Sequence, residues 1–137
     1  MRFLLDTNIL SEPRRRLPEA EILAQLQRYQ AESAIAATTW HELKYGCDRL
    51  PASKRKQQLT NYIKSLHATM PILPYDEAAA TWHAAERSRL SLLGRTPAFA
   101  DGQIAAIAAT QGLILVTRNE RDYQPFANLQ LANWFAP

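Results

Sequence analysis

Only one cysteine, Cys47, occurs in 137 residues, so no internal disulfide can form and the fold must rest on its own core. A reducing, cytoplasmic setting is the corresponding expectation. Histidine is also scarce: His41, His67 and His83 are scattered and share no metal-ligand spacing, which argues against a zinc-type centre. A phosphate-cradling glycine loop is missing, and with it any support for nucleoside-triphosphate chemistry. No apolar run is long enough to span a bilayer. The apolar start Phe3-Leu4-Leu5 is broken at once by Asp6, too early for a secretory signal. Charge of one sign is weak as well. A formal net charge of +3 does not by itself point to nucleic acid. What the chain does have is apolar residues, 47% of the total, which excludes disorder and suffices for one core. Residues 1–137 read as a single domain.

Short apolar runs alternate with helical patterns along the chain. Arg2 to Leu5, Ala34 to Ala37, the Ile72-Leu73 pair between Pro71 and Pro74, Leu113 to Thr117, and Leu129 to Ala132 read as strands. Helices are predicted over Glu19 to Gln30, from Thr38 or Thr39 to about Leu50, over Ser53 to His67, and from Asp76 as N-cap to Leu93. A last helix opens at Thr96 and Pro97 and ends at Gly112. This alternation predicts an α/β fold with a mainly parallel sheet of about five strands flanked by helices.

Four positions with carboxylate or amide side chains stand where such runs end or begin. Asp6 follows the first strand directly, either capping the next turn or binding a cation. Glu42 has a structural rival, because Thr39-Trp40-His41-Glu42 fits a capping box. Asp101 shares a helix face with Ile104, Ala105 and Ala108, so it lies on a core-facing stripe and requires a partner. Asn119 and Asp122 follow the clearest strand; turn chemistry accounts for either, and both stay open as the fourth position. Gly102 beside Asp101 leaves room for a close approach by substrate. Folded into one parallel sheet, these positions meet at its carboxyl edge, where open α/β sheets bind ligands. Clustered carboxylates repel one another unless a cation neutralises them, and an all-oxygen donor set suits Mg²⁺ or Mn²⁺.

Basic residues surround these motifs. Arg14, Arg15 and Arg16 follow the first, and Arg118 and Arg121 flank the last, as contacts for a polyanion or a partner. Lys54, Arg55 and Lys56 read more simply as a solvated helix face. Trp40, Trp82 and Trp134 read as core or interface aromatics.

Four fragments in order give the chain a family likeness. Leu4-Leu5-Asp6-Thr7-Asn8 with Leu10-Ser11-Glu12, Trp40-His41-Glu42-Leu43-Lys44-Tyr45-Gly46, Ala100-Asp101-Gly102-Gln103-Ile104-Ala105-Ala106, and Leu115-Val116-Thr117-Arg118-Asn119 with Asp122-Tyr123 resemble the PIN-domain ribonucleases. The likeness is specifically to the VapC and FitB-like toxins of toxin–antitoxin pairs, and it runs almost end to end. It implies a PIN-like fold, a Mg²⁺- or Mn²⁺-dependent endoribonuclease acting on RNA, a homodimer, and inhibition by a small antitoxin protein. Asp6, Glu42 and Asp101 carry over as the acidic site. Thr7, Asn8 and Thr117 would orient water or phosphate. Asn119 stands where many relatives carry an acid, which puts a second ion in question and leaves Asp122 to supply the charge. Two other readings remain: a PIN-like binding module without catalysis, and a haloacid-dehalogenase-like phosphatase. The phosphatase wants a second aspartate where Asn8 stands.

Overall fold

The computed structural model describes residues 1–135, so positions 136 and 137 of the single-domain span lie outside it. The chain runs β1 (Phe3–Leu5), α1 (Thr7–Leu10), a 3-10 turn (Glu12–Arg14), α2 (Ala20–Tyr29), a second 3-10 turn (Gln30–Glu32) and β2 (Ser33–Ala36). It continues through α3 (Ala37–Asp48), α4 (Lys54–Thr69), β3 (Ile72–Leu73), α5 (Glu77–Leu92), α6 (Phe99–Gln111), β4 (Ile114–Val116), α7 (Glu120–Tyr123) and β5 (Gln130–Ala132). The five strands form one sheet in the order β3-β2-β1-β4-β5, every pair parallel. The strands expected from the apolar runs are all present.

Because side chains alternate across a strand, the sheet has two cores. Leu4, Ala34 and Leu115 pack with Leu90, Ile104 and Ile107 of α5 and α6 on one face. Phe3, Leu5, Ile35 and Val116 pack with Ile9, Leu10, Ile22 and Leu66 on the other. Trp134 joins Phe3 and Tyr29 in an aromatic cluster, and Trp82 packs on Phe126. No helix among the described residues is long and apolar enough to cross a membrane.

Local signals explain most helix boundaries. Ser53 caps α4 by accepting from the Lys56 amide, and Asp76 caps α5 by accepting from the Ala79 amide. Gly112 closes α6 at φ +67°, a left-handed conformation suited to glycine. The start of α6 differs from expectation: it begins at Phe99, two residues beyond Pro97. Arg95 N–H donates to Leu90 O at 2.8 Å and completes the end of α5. The residues that follow must therefore bridge from α5 to α6 before helix can resume.

Register decides where the site lies. Leu5 pairs with Val116, so Asp6 and Thr117, the next residues of β1 and β4, emerge side by side. The chain builds β2 and β3 on one side of β1, then crosses to lay β4 and β5 on the other. The carboxyl ends of β1 and β4 are therefore a topological switch point, the crevice of an open α/β sheet.

Candidate active site

A depression of about 280 Å³ opens at that crevice, lined by Asp6, Thr7, Asn8, Glu42, Asp101, Ile104, Asn119, Asp122 and Tyr123. It gathers Asp6 from β1's end, Glu42 from α3, Asp101 from the first turn of α6, and Asn119 and Asp122 from the start of α7. All five sequence-derived candidates thus share one hollow. A larger cavity of about 510 Å³ between α5 and α6 is lined by Arg87, Arg95, Ser88 and Thr96 among others, and no carboxylate converges there.

Asp6 is both cap and site residue. Its Oδ1 accepts from the Thr7 amide at 2.9 Å, starting α1. Its Oδ2 accepts from Thr117 Oγ1 at 2.9 Å, and from Tyr123 Oη and Asn8 Nδ2 at 3.4 and 3.5 Å. Burial pushes its carboxyl above the usual range against these donors, and the charge of Asp122 adds to the rise.

Asp101 receives one contact, from Tyr123 Oη at 3.4 Å, and burial with the charges of Asp122 and Asp6 raises its pKa. Glu42 lies at the exposed rim, where its Oε2 accepts from Thr7 Oγ1 at 3.4 Å. Burial of part of the group and the nearby charges of Asp6 and Asp101 raise it too. The capping box does not form: β2 runs straight into α3, Ala36 occupies the cap position, and Thr39 Oγ1 is buried without a partner. Glu42 is therefore left to the pocket.

Thr7, Asn8 and Thr117 each touch a carboxylate of the site, and two of them also fix its walls. Asn8 Oδ1 accepts from the Arg118 amide at 3.1 Å, and Thr117 Oγ1 accepts from the Asn119 amide at 3.0 Å. Asn119 and Asp122 both reach the hollow from exposed positions. Asp122 acts through charge, since it raises both Asp6 and Asp101.

Tyr123 is the residue that sequence reasoning missed. Its ring is buried, and its hydroxyl stands between Asp6 and Asp101. Burial and the two neighbouring carboxylates push its pKa far above the usual phenol value, so it remains an O–H donor. One proton cannot serve two carboxylates at once, and Asp101, for which it is the one side-chain donor among the described residues, is left under-satisfied. Its place directly after Asp122 was the available signal.

The donor set fits a hard divalent ion: carboxylate and amide oxygens converge, and each carboxylate is raised by burial and by its neighbours' charge. Among the described residues, however, no three His, Cys, Asp or Glu side chains are drawn together closely enough to grip an ion as they stand. Mutual repulsion, with Tyr123 between two of the acids, accounts for that spacing.

Gly102 is used differently from the expectation. A Cβ there would lie 2.1 Å from His83 Nε2, so the imidazole fills the room expected for substrate. His83 is buried, bonded through Nδ1 to Tyr75 Oη at 2.8 Å. Burial lowers its pKa, with the charge of Arg87 adding to the fall.

The arginines divide. Arg15 is tied to the buried Glu12 at 3.1 Å, and Arg14 lies over the Tyr62 ring at 6.0 Å, while Arg16 is exposed. Arg118 lies over the Phe135 ring at 4.5 Å and, with Arg121, lines a hollow beside the acidic one.

The chain resembles known proteins in sequence and in fold. A family model described as PIN domain matches residues 3–129. The chain is 31% identical over 134 residues to a tRNA(fMet)-specific endonuclease VapC of Shigella flexneri, covering 98% of each. It is 38% identical over 121 residues to Toxin FitB of Neisseria gonorrhoeae, covering 85% of this chain and 86% of that one. Among solved structures, FitAcB from Neisseria gonorrhoeae superposes with a TM-score of 0.90 at 32% identity, over 98% of this chain and 99% of the other. VapBC2 from Rickettsia felis, bound to a DNA fragment from the promoter, superposes with a TM-score of 0.84 at 25% identity, over 98% and 99%.

Proposed function

The chain belongs to the PIN-domain family, and from that premise we propose that it works as a single PIN domain, the toxin of a toxin–antitoxin pair. Its activity is that of an endoribonuclease hydrolysing RNA phosphodiester bonds with Mg²⁺ or Mn²⁺. The observation that carries this reading is the convergence of Asp6, Glu42 and Asp101 on one hollow at the β1/β4 crevice. Relatives called ribonuclease or endonuclease over nearly their full length support the reaction class.

Asp6, Glu42 and Asp101 would hold the ion, with Asn119 or Asp122 at the fourth position. A divalent ion supplies a lowered water pKa and a counter-charge for the phosphate. The chain's own residues do the rest. Thr117 and the Thr7 amide fix Asp6, and Thr7 Oγ1 holds Glu42 at the rim. Arg118 and Arg121 draw the polyanion toward an otherwise acidic hollow. Asp122, exposed beside Asp6 and Asp101, adds negative charge that favours cation loading.

Partners follow from the same reading. A small antitoxin protein is the inhibitor in this reading, and the solved structures that share the fold include a toxin–antitoxin complex from Klebsiella pneumoniae. An arginine fork from that partner would match the unpaired carboxylates. Self-association would cover Leu92, Leu93 and Phe99, exposed together at the end of α5 and the start of α6. The setting is cytoplasmic.

The test is direct. Purified chain should cut RNA with Mg²⁺ or Mn²⁺, stop in excess chelator, and stop in Asp6→Asn. Undiminished cleavage in chelator overturns the reading.

A further inference from the structure

His41 and Tyr45 of α3, with Arg49 at its C-cap, lie beside the acidic hollow and are not accounted for by it. Taken from Glu42, Tyr45 is three residues on and Arg49 seven, the spacing that places side chains on one helix face. The stripe they form starts at the hollow's rim and runs away along α3, about 4.5 Å to Tyr45 and about 10 Å to Arg49. Tyr45 is 62% exposed, a large aromatic ring left in solvent beside a charged site.

The ring is nevertheless held in place. His41, one turn back, lies parallel to it, with planes 5° apart and centroids 6.4 Å apart. The Arg49 guanidinium stands over it at 5.7 Å. Lys44 and Asp48, the other charges on this part of the helix, pair with each other at 3.9 Å. Arg49 has no carboxylate within ion-pair distance among the described residues. The result is a ladder of imidazole, phenol and guanidinium, exposed at every rung and continuous with Glu42.

Such a ladder matches one kind of ligand chemically. Unpaired bases stack on aromatic and guanidinium planes, and every base offers a π-face. The cation at the far end meets the phosphate backbone. A duplex keeps its base faces buried within its own stack and gains only the charge.

We propose that His41, Tyr45 and Arg49 form a stacking platform for a single-stranded stretch of RNA whose backbone enters the acidic hollow. This deepens the nuclease reading and rests on it. The platform sets a preference for unpaired substrate without reading sequence, because stacking is tolerant of base identity. It also gives α3 two tasks, Glu42 at the site and Tyr45 beside it.

The experiment compares Tyr45→Ala, Tyr45→Trp and Arg49→Gln with the unaltered chain, on a short unstructured oligoribonucleotide and on a duplex of the same bases. These positions are exposed, so the variants should fold. Tyr45→Ala should raise KM for the unpaired RNA about tenfold with kcat unchanged, the scale of one lost stacking contact. Tyr45→Trp should restore it, and the Mn²⁺ dependence should not move. Arg49→Gln should weaken binding and flatten its salt dependence. Direct binding of the same RNA in chelator is measured alongside. Unaltered KM and binding in Tyr45→Ala overturns the platform. So does a loss in Tyr45→Ala that accompanies loss of self-association in sedimentation, which assigns the ring to a second copy. If the unaltered chain binds the RNA without cutting it and Tyr45→Ala weakens that binding, the platform stands and the nuclease reading falls.

Discussion

Glu86 and Asp101 sit on adjacent helices, α5 and α6, and meet opposite surroundings. Glu86 accepts from Arg89 Nε and Nη2 at 2.7 and 2.9 Å and from the Ala127 amide at 2.6 Å, and Arg89 also donates to Pro125 O. Bonding to Arg89 first, then the Ala127 amide, holds its carboxyl below the usual range. Glu12 is the same device near the other end of the chain, bonded to the Glu19 amide and Arg15, and likewise lowered. Asp101 has a shared phenol and two acidic neighbours, and its carboxyl is raised. One group of carboxylates pins loops to helices through donors that outweigh burial; in the other, burial and neighbouring acids outweigh the donors, even the four that reach Asp6. The difference separates staples from a site more sharply than burial does, since Asp6 is as buried as Glu12 and Glu86.

The comparison breaks most visibly at Asp101. Asp101→Asn should lower RNA cleavage by at least about 10²-fold, while the melting temperature in chelator stays level or rises, because a repelling charge is gone. A folded variant with full cleavage would move Asp101 out of the site. Tyr123→Phe keeps the ring and removes only the donor. Mn²⁺ affinity measured by calorimetry should fall about tenfold, the usual penalty for losing a group that orients a ligand. Equal affinity would reduce Tyr123 to packing.

Glu86→Ala tests the opposite group. It leaves the Ala127 amide without its acceptor and frees Arg89, and should lower the melting temperature by several degrees without changing kcat. A loss of activity greater than the loss of folded chain would join the staple to the site.

The smallest effect is in the pH profile without metal. Asp6, Glu42 and Asp101 have raised values in the fold, so ionised they work against it at neutral pH, and that handicap is relieved as pH falls through the raised range. Glu12 and Glu86 have depressed values, so their stabilisation is present above their ordinary 4.5 and is lost as pH falls below it. Melting temperature in chelator should therefore climb slightly as pH falls from neutrality toward the ordinary carboxylate range and then drop. Asp101→Asn should shrink the climb and leave the drop. A profile that falls monotonically from pH 7 would contradict the raised values.

How far the sequence revealed this arrangement depends on the range of the contact. Strands and helices came through because apolar period and caps are local: Ser53, Asp76 and Gly112 act where they stand. Asp6 and Asp101 were visible as acids attached to apolar elements. Tyr123 was hidden because a buried tyrosine after a turn reads as core, and its hydroxyl's partners lie 117 and 22 residues away. Gly102 misled for the same reason: the ring filling its space belongs to α5. Arg15 read as a contact for a polyanion or a partner because Glu12, to which it is tied, gives no local sign of being buried. The capping box at Glu42 failed on geometry, since β2 leaves no turn in which Thr39 could cap.

The placement of β1 at the centre of the sheet has a consequence in time. Its partners are β2 and, at Phe3 to Leu5, residues 114–116 of β4. Asp6 cannot meet Thr117, Asp101 or Asp122 until nearly the whole chain has been made, and pairings so distant in sequence close slowly. A growing chain therefore carries Asp6, Glu42 and then Asp101 before the site that joins them. The site forms in one step, when β4 joins β1 and brings Thr117 to Asp6, and any protein that covers it has until then to arrive.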